Sequence, residues 1–121
     1  MKSYIIIALA LVAVCSAETY SAENDNLDIE AVVANLKTLK EFADCFDDKG
    51  DCNAQSADFK KDIAEAIQQA CAKCTDAQKH IFKVFLDGLK QKLPAENTEF
   101  RKKYDPDNKY FAALEAAITN A

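Results

Sequence analysis

Apolar residues return at steps of three and four along the first stretch of this chain after Leu27: Ile29, Val32, Val33, Leu36, Leu39, Phe42, Ala43 and Phe46. That period predicts one or two consecutive helices with a single buried face. The segment DDKGDCNAQSAD, with Gly50, Asn53 and a run of acids, breaks the pattern. Helix is expected again from Ser56 or Asp58, where Phe59, Ile63, Ala66, Ile67 and Ala70 share a face. At CTDAQKH a further helix begins: Thr75 is placed as N-cap, Asp76 suits the first turn, and Gln78 completes a capping box. Its apolar set is heavy, with Ile81, Phe82, Val84, Phe85, Leu86, Leu89 and Leu93. Val84 lies off the main face, so this helix is expected to be central and covered on more than one side. Pro94 ends it. A short helix around Glu96 to Tyr104 carries Phe100, Asp105-Pro106-Asp107 makes a turn, and Tyr110, Phe111, Leu114 and Ile118 line a last helix. The pattern predicts an all-α fold of five to six amphipathic helices.

Composition agrees, since the chain holds two Gly and two Pro among many helix formers. Its start, MKSYIIIALALVAVCSAETY, sets one Lys before an apolar run and small residues after it, the order of a secretory signal peptide. The run is about a dozen residues, short of the roughly 20 that span a bilayer. Cleavage is expected after Ala17, leaving residues 18–121 as a single helical domain outside the cell. Loss of Lys2 takes the formal charge from −5 to −6. An acidic surface with interspersed basic residues argues against nucleic acid or anionic membrane as partner. A monomer without stable membrane insertion is expected.

Cys15 leaves with the signal, and the remaining Cys45, Cys52, Cys71 and Cys74 are spaced C-x6-C-x18-C-x2-C. The x6 gap is too wide for a usual structural zinc knuckle, and a thioredoxin-like CAKC would need a preceding strand where helix stands here. An even count in a small secreted chain reads as a disulfide framework. Three pairings are possible. Sequential pairing, 45 with 52 and 71 with 74, is favoured because both closures are local, giving two small loops that clamp helix junctions.

The signal peptide, the acidic helical body, DNLDIEAVVAN, the cysteine spacing, CAKCTDAQK and KKYDPDNKY together resemble the insect chemosensory proteins, the OS-D family, over almost the whole mature chain. The resemblance implies six helices around an apolar channel and carriage of small hydrophobic molecules such as odorants, pheromones, fatty acids or cuticular lipids. Members often carry Tyr just before the DN motif and three residues before the first cysteine, where this chain has Asn24 and Phe42. They often carry a Trp near the position of Asn97, and this chain has none.

Helical facing and family position together nominate Phe42, Phe59, Ile63, Ile67, Phe82, Phe85, Leu86 and Leu89 as channel walls. Tyr104, Tyr110 and Phe111 are candidate lids. Gln78 serves the helix cap or offers the channel one polar contact. The competing account of the same residues is a filled core, in which case the protein is a secreted interaction or defence factor acting through its surface. No nucleophile, base and orienter can be named together, so an enzyme is not expected, and His80 reads as a surface histidine. No cofactor or metal is expected: Asp44, Asp47, Asp48 and Asp51 lack the order of a calcium loop and read as solvated charge. KKYDPDNKY reads as a structural corner in which Pro106 fixes φ and Asp105 and Asn108 turn the chain.

Overall fold

The computed structural model describes residues 18–121; the expected signal peptide and Cys15 lie outside the described residues. Six helices follow: α1 (Ile29–Ala34), α2 (Leu36–Phe46), α3 (Ala54–Gln68), α4 (Asp76–Lys92), α5 (Pro94–Tyr104) and α6 (Phe111–Ile118). No strand occurs among the described residues.

The apolar repeat from Leu27 resolves into two helices because Asn35 leaves the helical region (φ −112°, ψ 110°). Its side-chain oxygen then accepts from the N–H groups of Lys37 and Thr38, so one residue ends α1 and caps α2. α3 starts earlier than the apolar spacing indicated. Asn53 and Ser56 form a reciprocal capping box, Asn53 Oδ1 accepting from Ser56 N at 2.8 Å and Ser56 Oγ from Asn53 N at 2.9 Å. α4 carries the capping box of Thr75 and Gln78 that its sequence predicts, with Lys90 and Lys92 in its last turn. Pro94 both stops α4 and opens α5 as its first residue, where a missing N–H costs nothing.

The two disulfides are sequential, Cys45–Cys52 and Cys71–Cys74, with Cα atoms 4.9 and 5.0 Å apart. Each closes a corner, the first between α2 and α3, the second between α3 and α4. Ala70 and Cys71 both take positive φ, 53° and 60°, at the second corner.

α4 is central and packs on α1, α2, α5 and α6, while α3 packs on α2 and α6. α3 and α4 thus share a corner without extensive close approach of their backbones. Gly88 allows α1 to sit tightly on α4: a Cβ there would lie 2.8 Å from Val33 Cγ1. Lys92 Nζ donates to the Val33 carbonyl at 2.9 Å, and His80 Nε2 meets Glu30 Oε2 at 2.5 Å across the same pair of helices. The Glu30 hydrogen bond holds the imidazole pKa above its usual value.

The segment read as a structural corner and the acids read as solvated charge fare differently. Asp105 is buried and gathers the N–H groups of Lys109, Tyr110 and Phe111 at 2.7, 2.9 and 3.1 Å, which makes KKYDPDNKY a corner built around one carboxylate. Among the four acids read as solvated, Asp47 is an exception. It is only 9% exposed at the C-cap of α2, and its Oδ1 has no hydrogen-bond partner. It sits at the end of α2 among the charges of Asp44, Lys49, Glu96 and Lys103, and burial there removes it from water. Asp48 stays exposed and pairs with Lys60 and Lys103.

Candidate functional site

Between α3 and α4 the structure holds an apolar cavity whose mouth is open to solvent. α3 contributes Asp58, Phe59, Asp62, Ile63 and Ala66, and α4 contributes Gln78, Ile81, Phe82 and Phe85. On α3 the apolar members Phe59, Ile63 and Ala66 fall at four- and three-residue steps, and on α4 the adjacent Ile81 and Phe82 lie one turn before Phe85. Phe42 and Phe46 of α2 form the floor, and Tyr20, Leu27, Ile29 and Cys74 close the remaining side. The cavity volume is about 60 Å³.

Behind the floor the aromatic residues are continuous. Phe42 meets Phe46 at 6.0 Å, Phe46 meets Phe85 at 5.3 Å, and Phe85 meets Phe100 at 5.9 Å, all nearly edge to face. Such pairs add to the stabilisation from burial. One end of this stack is a cavity and the other is packed core.

That division sorts the residues nominated from sequence. Phe42, Phe59, Ile63, Gln78, Phe82 and Phe85 lie around the cavity. Ile67, Leu86, Leu89 and Phe111 do not line it; they are at most 3% exposed and belong to the core cluster. Ile67 and Leu89 follow Ile63 and Phe85 by one turn, and that turn carries them past the cavity into the core. Tyr104 and Tyr110 also lie away from it. The Tyr104 hydroxyl donates to the Phe46 carbonyl at 2.6 Å, and Tyr110 is tied through its N–H to Asp105, so neither covers the mouth as a lid.

The polar groups of the lining are already engaged. Gln78 serves the cap, its Oε1 accepting from Thr75 N at 3.0 Å, while its Nε2 donates to the Ser21 carbonyl at 2.8 Å and to Asp25 Oδ1 at 3.0 Å. Tyr20 donates its hydroxyl to Glu65 Oε1 at 2.7 Å and its N–H to the Lys73 carbonyl at 2.9 Å. Burial and the Glu65 carboxylate push this phenol well above its usual pKa. Asp58 accepts from Asn24 Nδ2 at 2.9 Å and pairs with Lys61. Those contacts, the Lys61 ammonium first, hold it below the usual carboxylate range. Asp62, by contrast, is held above that range by partial burial.

Residues 20–27 therefore form a polar strap over one side of the cavity. Periodicity had no means of finding Tyr20, which stands outside any helix. Leu27, Ile29, Phe46 and Ile81 belonged to apolar stripes already visible in the sequence, and only the packing shows that their faces turn inward here. A second, more polar hollow borders Glu41, Asp44, Asp51, Asn53 and Ser56 and offers no apolar wall of comparable extent. Among the described residues no group of three or more His, Cys, Asp or Glu side chains is placed to hold a metal ion. Nor is any helix among them long and apolar enough to cross a membrane.

Comparison with known proteins places this architecture. The chain is 34% identical over 109 residues to allergen Tha p 1 of Thaumetopoea pityocampa, spanning 88% of this chain and 86% of that protein. It is 25% identical to ejaculatory bulb-specific protein 3 of Drosophila melanogaster, over 92% and 88% of the two chains. Its fold is similar to that of a chemosensory protein solved in complex with bromo-dodecanol, with a TM-score of 0.74, 24% identity, and coverage of 81% of this chain and 98% of that one. Residues 20–112 match the model of the insect pheromone-binding family A10/OS-D, which takes in every helix through α5 and the start of α6, and the chain belongs to that family.

Proposed function

We propose that this protein is a secreted carrier, not an enzyme, that takes small hydrophobic molecules such as odorants, pheromones or fatty acids into the cavity between α3 and α4. The observation that carries the reading is the aromatic and aliphatic lining contributed by Phe42, Phe46, Phe59, Ile63, Phe82 and Phe85. The similarity to a chemosensory protein holding bromo-dodecanol supports it. In this reading residues 1–17 are a signal peptide and residues 18–121 act as a monomer.

Burying about ten methylenes contributes roughly 8 kcal/mol at ~0.8 kcal/mol each. Association costs of several kcal/mol leave weak, roughly millimolar affinity from the chain alone, and a polar group that pairs with the ligand head brings it toward the micromolar range suited to reversible transport. A cavity of about 60 Å³ is too small for such a chain at rest. Half-buried Phe59 and Phe82 are the walls placed to swing, whereas Phe46 and Phe85 are fixed by the aromatic core.

The test is displacement of a fluorescent apolar dye from the oxidised mature chain by long-chain ligands. Saturable dye binding that Phe82→Asp weakens while helicity persists supports an internal site. Absence of saturable binding in the folded protein sinks the carrier reading and leaves a filled-core protein acting through its surface.

A further inference from the structure

The cavity is apolar, but its few polar atoms are not chemically neutral in their preferences. Every hydrogen-bond donor on the lining side chains is already used. The Tyr20 hydroxyl goes to Glu65, and both N–H positions of the Gln78 amide go to Ser21 and Asp25. A carboxamide has no third donor and a phenol no second. The backbone N–H groups of Tyr20, Leu27, Ile29 and Cys74, which lie outside or at the very start of helices, donate to Lys73, Asn24, Leu27 and Cys71 carbonyls. What remains at the mouth are acceptors. Asp58 is occupied by Asn24 and Lys61, but Asp62 makes no hydrogen bond among the described residues, and its nearest cation, Lys61 Nζ, stands 3.8 Å away. The Asp62 side chain belongs to the lining and is 30% exposed.

Building on the carrier reading, we infer that the cavity selects apolar chains whose head group donates a hydrogen bond, alcohols and amines, over acceptor-only heads of equal length, with the Asp62 carboxylate as the accepting group. An aldehyde, an ester or a fatty-acid carboxylate brings only lone pairs to a rim of lone pairs. Their desolvation is then uncompensated. A carboxylate is opposed further by the charges of Asp58 and Asp62, and Lys61, the cation beside them, already pairs with Asp58 and stands 3.8 Å from Asp62. A hydroxyl or ammonium meets an ionised acceptor, the stronger class of hydrogen bond.

Chain burial is held constant by comparing dodecanol, dodecylamine, dodecanal, dodecyl acetate and dodecanoate in displacing one apolar dye at pH 7.5. Dodecanol and dodecylamine are expected to displace it at concentrations about five- to tenfold lower than the other three, as one charged hydrogen bond at a partly wet site contributes. In Asp62→Leu the ratio between the donor-headed and the acceptor-only ligands falls to about one, each displacement being referred to that variant's own dye affinity. In Asp62→Asn, which supplies an N–H donor at the same place, dodecanal and dodecyl acetate gain several-fold. Circular dichroism identifies any variant that fails to fold, and the wild-type series stands without them. Equal displacement by all five ligands overturns the selectivity while leaving the carrier intact. Failure of the dye itself to bind overturns the carrier instead.

Discussion

Asp47 and Asp105 are both buried carboxylates, and their surroundings drive them in opposite directions. Burial pushes Asp47 up to about 6, and of the charges around it Lys49 and Lys103 lower it while Asp44 and Glu96 raise it. For Asp105 burial acts upward too, yet three backbone N–H donors outweigh it and leave the pKa lowered. A carboxyl whose folded pKa is raised binds its proton more tightly folded than unfolded. Its stabilising contribution is therefore full below the ordinary aspartate value of 3.8 and lost as pH rises through about 6. Asp47→Asn is expected to raise stability at pH 7, because an unsatisfied buried charge is removed at a site where such a group costs on the order of 1–3 kcal/mol. In urea melts from pH 4 to 7, the wild-type minus variant difference should narrow toward pH 4. A pH-independent difference would contradict the assignment. The solvated reading of Asp47 came from composition, and nothing in a run of acids tells which one the helix end turns inward.

The helices themselves were legible because caps and periodicity agree, as at Thr75 and Gln78. The break at Asn35 was not, since the apolar spacing runs through it and only the backbone turn at one residue ends α1. Nor does a stripe say whether it faces a void or a core: Ile63 and Ile67 are one turn apart on α3 and end on opposite sides of that division. The α1–α4 seam supplies a test at this scale. In Gly88→Ala the new methyl meets Val33, an overpacking cost of about 1–3 kcal/mol, against a helix-propensity gain of up to ~1 kcal/mol. A net loss of roughly 1 kcal/mol is expected in chemical denaturation on those terms. In a Val33→Ala background the clash is gone, and the same substitution should become neutral or stabilising. Equal cost in both backgrounds would show that the close approach is not what Gly88 permits.

Across the molecule, α4 carries a cavity wall on one face and meets the packed core on another, so ligand entry and folding stability are linked through one element. A ligand that binds only the folded state at a hundred times its dissociation constant stabilises by ~2.7 kcal/mol. For a domain of about 100 residues this raises the thermal midpoint by on the order of 10 °C. Dodecanol should produce that shift in calorimetry, and Phe82→Asp should lose most of it. A shift that survives in Phe82→Asp would place the ligand elsewhere.

The Asp105 corner carries a consequence for hydrogen exchange. Lys109 is exposed and Asn108, Pro106 and Asp107 beside it are exposed, so amides there would ordinarily trade their protons with solvent within the time of local fraying. Because one buried carboxylate holds the amides of Lys109, Tyr110 and Phe111 together, their release requires α6 to lift from the body of the protein. Those three amides should exchange as a group, at the slow pace of the core, at the junction between α6 and a loop that otherwise exchanges fast. In Asp105→Asn, whose side chain has one acceptor oxygen in place of two, the group should split apart, and its members would then report separately on how the last helix detaches.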